Sequence, residues 1–256
     1  DHHLNILGGY SYLNNVYEGF GSTRSGFDTN AFGYNNLGAG TDFRQGDVYS
    51  FKGESTLVSF FGRANYSYLN RYMITATLRQ DGSSRFGENH KWGTFPSISL
   101  AWRLSDEPFM KCTSSWLDNL KVRFGFGVTG NQNGIGEYKS LSILSASGAA
   151  YYDAATQTWK NAYTQSQNVN PDLKWESTSQ WNFGLDFSIF NRINGTLELY
   201  NKKTSDLLWT YPVPQPPYLV GTMLANVGDL VNKGFELTLG ANILRTKDWT
   251  VHANMT

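Results

Sequence analysis

Few residues in this chain are arranged for chemistry. Gly125-Phe126-Gly127-Val128-Thr129-Gly130 has the three-glycine spacing of a dinucleotide loop. That motif holds phosphate where a strand feeds straight into a helix whose first amides face the ligand. Here the glycines sit inside an alternating run, and the turn former Asn131-Gln132-Asn133-Gly134 follows. The two inner glycines are read instead as a place where something packs closely on a wall. Among the histidines, His2, His3, His90 and His252, only the adjacent pair is close in sequence, so no metal site is expected. Cys112 is the single cysteine and can make neither an internal disulfide nor a metal cluster. Glycoside hydrolysis needs two carboxyl groups at a set separation. Nothing places Glu88, Glu137, Asp153, Asp172 or Glu176 in such a pair. No serine or cysteine stands in a nucleophile elbow. The expectation is no enzyme and no cofactor.

Two other sets carry more information. Tyr151, Tyr152, Trp159, Tyr163, Tyr211 and Tyr218 fall in long polar connections. Aromatic faces stack on sugar rings and also pack against peptide side chains, so these six are the candidate substrate contacts. They equally suit holding their loops together or meeting another protein. The second set is charged and lies within alternating runs: Arg63, Arg79, Arg103, Lys121, Arg123, Asp186, Glu198 and Glu236. If the apolar side of those runs meets lipid, these eight face a lumen. There they pair with one another, touch a plug or line a solute path.

The elements that carry these residues are strands. Period-two alternation runs along nearly the whole chain, and helical periodicity is almost absent. From 58 to 68, Val58, Phe60, Gly62, Ala64, Tyr66 and Tyr68 alternate with Ser59, Phe61, Arg63, Asn65 and Ser67. The pattern recurs at Tyr72–Asp81, Ser97–Arg103, Leu120–Thr129, Trp181–Ile189, Thr196–Leu199, Phe235–Ile243 and Trp249–Met255. With His3–Leu13 this makes nine strands. Their lengths approach the roughly 9–11 residues a tilted strand needs to cross a bilayer. Connections alternate between long (Asn14–Glu54, Asn131–Lys174, Thr210–Asn232) and tight (near Asn70, Arg192 and Lys247). Membrane barrels sort loop length by end in this way. Tyr66, Tyr68, Tyr72, Trp102 and Trp249 cluster at the tight-turn end, where amphipathic rings favour a membrane interface.

Composition agrees. Twenty-one basic residues balance 21 acidic ones, which excludes an electrostatic grip on nucleic acid. Charged residues make up 16%, below the roughly 25% of soluble domains. The longest apolar run, Ala149 to Tyr152, is far too short for a membrane helix. A negative mean hydropathy is compatible with a barrel, whose strands alternate. The chain opens on Asp1 and stops on Thr256 within a strand, so a piece of a longer protein is expected. Nine up-and-down strands would also leave the first and last parallel, unable to close a bacterial barrel.

Several long strings then carry a resemblance. They are LVSFFGRANYSYLNRYMITATLRQDGSSRFG (Leu57 to Gly87), KWGTFPSISLAWRLSDEPFM (Lys91 to Met110), LKVRFGFGVTGNQ (Leu120 to Gln132), NPDLKWESTSQWNFGLDFSIFNRINGTLELYNKKTSDLL (Asn170 to Leu208) and NVGDLVNKGFELTLG (Asn226 to Gly240). Together they resemble the barrel of SusC/RagA-type TonB-linked outer-membrane proteins. The resemblance implies an all-β, antiparallel up-and-down transmembrane β-barrel, with this chain supplying about nine of 22 strands. Residues 1–256 would be a fragment of one barrel domain, with the plug, the TonB box and the C-terminal strands outside it. It further implies import of oligosaccharides or peptides across the outer membrane, driven through TonB. Its partners would be a SusD-like surface lipoprotein at the extracellular mouth and the lipid bilayer. Two other readings suit the residues: a soluble β-sheet carbohydrate-binding or adhesin module, and a passive porin-type barrel.

Overall fold

The computed structural model describes every residue except Gln45, and for residues 147–150 and Arg245 the backbone alone. Thirteen strands follow in order: β1 (His2–Ser22), β2 (Val48–Tyr68), β3 (Tyr72–Ser83), β4 (Trp92–Arg103), β5 (Leu117–Asn131), β6 (Leu144–Asp153), β7 (Thr158–Gln165), β8 (Glu176–Ile189), β9 (Ile193–Ser205), β10 (Leu208–Pro212), β11 (Thr222–Asn226), β12 (Leu230–Arg245) and β13 (Thr250–Met255). Nine form one sheet in the order β1-β2-β3-β4-β5-β8-β9-β12-β13. Every pairing in it is antiparallel. The remaining four form two separate hairpins, β6–β7 and β10–β11, set into the long connections. The sheet is open, with β1 and β13 at its edges.

The nine alternating runs therefore become the nine sheet strands, but their lengths are corrected. β1 and β2 are 21 residues each, about twice the expected span. Residues 14–22 and 48–54 read as loop because Asn14, Asn15, Glu18 and Ser22 break the apolar pattern. The ladder nevertheless runs unbroken from Leu13↔Leu57 to Ser22↔Val48. Backbone pairing extends a strand wherever a partner is in register, whatever its side chains. The first long connection shrinks to 23–47, in which Gln45 lies outside the described residues. Tight turns fall at or within two residues of the expected positions. Leu69 and Asn70 both have positive φ, as do Phe190 and Asn191, which suits the twist of a two-strand hairpin.

The register gathers apolar side chains into rows. One row reads Tyr68, Tyr72, Trp102, Val122, Leu185, Leu197 and Leu237. A second reads Tyr66, Ile74, Leu100, Phe124, Phe183, Leu199 and Phe235; a third reads Ala64, Ala76, Ile98, Phe126, Trp181, Asn201 and Lys233. The apolar band crosses these rows obliquely. On β2 its aromatic border toward the long connections is Phe60, in ring contact with Tyr10 and Trp92 at 5.2 and 6.3 Å. On β8 the border is Trp181, level in register with Ala64, four residues nearer the tight turns. The turns step by the same amount: Leu69 follows Tyr68 by one residue, and Phe190 follows Leu185 by five. Four residues of drift across four strand spacings, at about 3.3 Å per residue and 4.8 Å per strand, correspond to a strand tilt of roughly 35°. Membrane barrels tilt their strands by about that angle.

The core is small and lies at one end. Among the described residues the buried hydrophobic side chains are Phe86, Phe95, Leu117, Ile135, Leu173 and Trp175. Five of these form one cluster at the end that carries the long connections. Large side chains of the apolar rows stay well exposed, Phe124 at 41% and Leu199 at 42%. A water-soluble domain of this length buries most of its apolar surface, so this face needs a different solvent.

Candidate functional site

The second face of the sheet is polar. By the register, Arg63, Arg79, Arg103, Lys121, Arg123, Asp186, Glu198 and Glu236 all stand on it. The structure draws some of them together. Arg123 Nε and Nη2 donate to the two carboxylate oxygens of Asp186 at 2.8 and 2.9 Å, and Nη2 also donates to Glu198 at 2.7 Å. To reach Glu198 the guanidinium crosses Gly184, where a Cβ would lie 2.9 Å from Nη2. Thr196 Oγ1 donates to Asp186 at 3.1 Å. Glu236 faces Glu198 across the β9–β12 ladder, a like-charge pair that costs stability unless a cation lies near. Arg79 donates to Asp81 at 2.8 Å and to Ser59 at 3.0 Å. Arg63 donates to Asn65 at 3.1 Å. Arg103 meets Asp106 at 3.4 Å and stands opposite Lys121 in the register. Lys121 stands opposite Asp186 in the register. Gly125 and Gly127 line a groove on this face together with Ser99, Gln180 and Asn182. The space above Gly125 is open within the chain.

Arg123→Ala leaves Asp186 and Glu198 without that guanidinium, beside Glu236. The site is partly exposed, so the expected loss is about 1–3 kcal/mol. Adding Glu198→Gln should recover part of it by removing one of the facing carboxylates. A double-mutant cycle on the urea unfolding of the full-length protein in detergent checks this; strict additivity would break the assigned coupling.

At the long-connection end, segments far apart in sequence interlock. Phe86 and Phe95 meet the Trp175 ring at 4.5 and 5.5 Å. Gly87 N–H donates to the Leu173 carbonyl at 2.9 Å. Asparagine side chains then tie this segment to the β10–β11 hairpin. Asn168 donates to Thr222 O at 2.9 Å, Asn170 to Leu224 O at 2.8 Å, and Asn226 both accepts from Lys174 N and donates to Lys174 O. A charged knot stands beside them: Arg85 donates to Glu137 at 2.8 Å, and the Tyr17 hydroxyl donates to Glu137 at 3.0 Å. The Glu137 carboxyl is held below its ordinary range by its own backbone N–H first, then by Tyr17 and Arg85, against opposing desolvation.

The six candidate aromatics divide between the two hairpins. Tyr152 lies opposite Trp159, with ring centroids 5.7 Å apart edge to face. Tyr163 shares a face of β7 with Trp159, while Tyr151 stands opposite Lys160. All four are more than half exposed. Tyr211 lies on β10 opposite Met223, and Tyr218 follows in the connecting turn.

At the tight-turn end Tyr68, Tyr72 and Trp102 stack in sequence at 6.3 and 6.1 Å. Glu107 anchors them, accepting from the Tyr72 hydroxyl at 2.6 Å and from Trp102 Nε1 at 3.0 Å. These two bonds, the Tyr72 bond foremost, and the Arg71 charge hold its carboxyl below the usual range. Rings with an apolar body and a tethered polar tip fix a wall at a membrane interface. Sequence reasoning missed Glu107, Arg85, Asn168, Asn170 and Asn226. The Asn170-Pro171-Asp172 turn was a legible signal for one of them; nothing local marked the others.

The family model described as "TonB dependent receptor-like, beta-barrel" matches residues 2–256. TonB-dependent receptor SusC of Bacteroides thetaiotaomicron is 43% identical over 200 residues, covering 77% of this chain and 19% of its own. TonB-dependent receptor P3 of Formosa agariphila is 38% identical over 252 residues, 97% of this chain and 24% of its own. The solved RagAB peptide importer in its 'closed-closed' state superposes with a TM-score of 0.83 at 30% identity, over 99% of this chain and 27% of that one. The siderophore receptor PirA from Acinetobacter baumannii, at TM-score 0.56 and 18% identity, shares the fold. The chain thus spans about a fifth to a quarter of the length of these curated relatives. Its tilted sheet, oblique apolar band and sorted loops are those of an outer-membrane barrel wall, and the chain belongs to the TonB-dependent receptor β-barrel family, of SusC/RagA type.

Proposed function

We propose that this chain forms part of the wall and mouth of a TonB-driven importer of uncharged polar nutrients, oligosaccharide or peptide. The apolar rows meet lipid and the polar face lines the lumen. The tight turns lie on the periplasmic side, and the interlocked loops and hairpins lie outside. A SusD-like lipoprotein seats on that outer rim. The observation that carries this reading is the sorting of the two ends: short turns with a tethered aromatic border at one, a packed rim with exposed aromatic hairpins at the other. The TonB drive in this reading is carried over from the family to which the chain belongs. A passive porin has no use for a lid-bearing rim, and family membership sets that alternative and the soluble adhesin behind.

The β6–β7 hairpin tests it. Ser166 N–H donates to Ile143 O at 2.8 Å, so residues 144–165 leave and return at one point. Replacing them with Gly-Gly in the full-length protein should leave barrel assembly intact, as read by heat-modifiable migration. Ligand capture or co-purification of the lipoprotein should fall at least about fivefold, which corresponds to ~1 kcal/mol. Unchanged values for both would remove the hairpin from the proposed mouth.

A further inference from the structure

The β1–β2 hairpin continues far beyond the apolar band. From Phe60 at the band's border to Val48 at its tip, twelve residues at about 3.3 Å each and a tilt of ~35° give an arm of roughly 30 Å. On the arm's inner side, the side that carries Arg63 further down, aromatic residues face glycines across the ladder. Tyr17 pairs with Gly53, Phe51 with Gly19, and Tyr49 with Gly21. Each ring lies flat over its glycine. A Cβ built on Gly53 would be 2.2 Å from Tyr17, one on Gly19 2.8 Å from Phe51, and one on Gly21 2.5 Å from Tyr49. One ring face is thus spent on backbone and the other is turned outward; all three residues are about half exposed. Tyr17 and Phe51 have centroids 5.9 Å apart with their ring planes tilted by 50°, and Tyr17 is pinned by its bond to Glu137.

We infer that Tyr17, Phe51 and Tyr49 form a stacking strip for a neutral oligosaccharide, leading from the arm's tip toward the lumen. This rests on the import reading above and narrows its substrate class. Pyranose rings present flat faces of weakly positive C–H groups, which suit the negative faces of aromatic rings. The neighbouring polar groups on this side, Asn15 and the Tyr49 hydroxyl, suit sugar hydroxyls. The carboxylate that Tyr17 touches, Glu137, is already engaged by Arg85, and Glu18 on the arm pairs with Lys52. Peptide side chains also pack against aromatic faces, but an extended peptide that adds its backbone to a sheet needs an open strand edge. The strands beneath the rings are paired with each other and offer no such edge. The flatness comes from the pairing of aromatic with glycine across two strands, which no single stretch of sequence displays.

The test uses the full-length receptor in detergent. An array of neutral gluco-, manno-, xylo- and fructo-oligosaccharides is compared with a mixture of short peptides. Phe51→Leu with Tyr49→Leu keeps the strands apolar and removes two flat faces. An array member that binds wild type should bind this variant at least about tenfold more weakly, with heat-modifiable migration and lipoprotein co-purification unchanged. Phe51→Trp with Tyr49→Trp keeps the faces and should bind at least as well as wild type. If the Leu variant fails to assemble, the Trp variant decides: weaker binding there overturns the strip. Sugar binding that survives the Leu variant overturns the strip but leaves import standing. Binding of peptides and of no sugar also overturns it and leaves import standing. Loss of the lipoprotein from the Leu variant reassigns the strip as a protein contact. Wild type that binds neither set and supports no uptake of either in cells ends both readings.

Discussion

Leu185→Arg is expected to abolish outer-membrane assembly of the full-length protein. Leu185 lies in the middle of the band, four residues from the Trp181 border and five from the turn at Phe190. Its row neighbours are Val122 and Leu197. An arginine at the bilayer midplane of a barrel costs about 2–4 kcal/mol, a large share of a marginal stability. Leu237→Arg should behave alike, whereas Asn182→Arg on the polar face should assemble. The tilt adds a sharper comparison within one row. Ala64 and Lys233 share a row, yet Ala64 lies four residues inside the band on β2 and Lys233 lies past its border on β12. Ala64→Lys should therefore be severe, while Lys233→Ala is tolerated. Heat-modifiable migration and surface protease protection read all five variants. Equal tolerance on both faces would contradict the register, and a harmless Ala64→Lys would contradict the tilt.

Gly87→Ala is expected to spring the outer rim apart while the barrel still assembles. A Cβ at Gly87 would stand 1.8 Å from the Pro171 carbonyl oxygen. The obstacle is backbone, so no side-chain rotation relieves it. The segments must separate, which strains the Gly87 to Leu173 hydrogen bond and loosens the packing of Phe86 on Trp175. Overpacking of this kind costs roughly 1–3 kcal/mol, and more where backbone must move. Phe86→Ala removes the same packing by a cavity, at about 3–5 kcal/mol. Both should expose residues 168–176 to protease and weaken lipoprotein co-purification. Wild-type protease resistance in Gly87→Ala would show that the rim is not the rigid interlock described here.

By itself the sequence determined the strand count of the main sheet, the tight turn at Leu69-Asn70, a second tight turn near Arg192, which the structure sets at Phe190-Asn191, and which side chains share a face from Val58 to Met255. These follow from a period of two and from local turn chemistry, both properties of neighbouring residues. The family was legible for a related reason: its strings are long and contiguous. The extent of β1 was not legible, because Asn14 to Ser22 pair through backbone groups that every residue carries. Nor was the anchoring of Tyr72 and Trp102 by Glu107, or the meeting of Gly87 with Pro171, residues 84 positions apart in the chain. Alternation assigns each side chain to a face but says nothing of its level relative to other strands. Only the cross-strand register, accumulated over the whole sheet, decided the tilt, the oblique band and the rings laid over glycines on the outer arm.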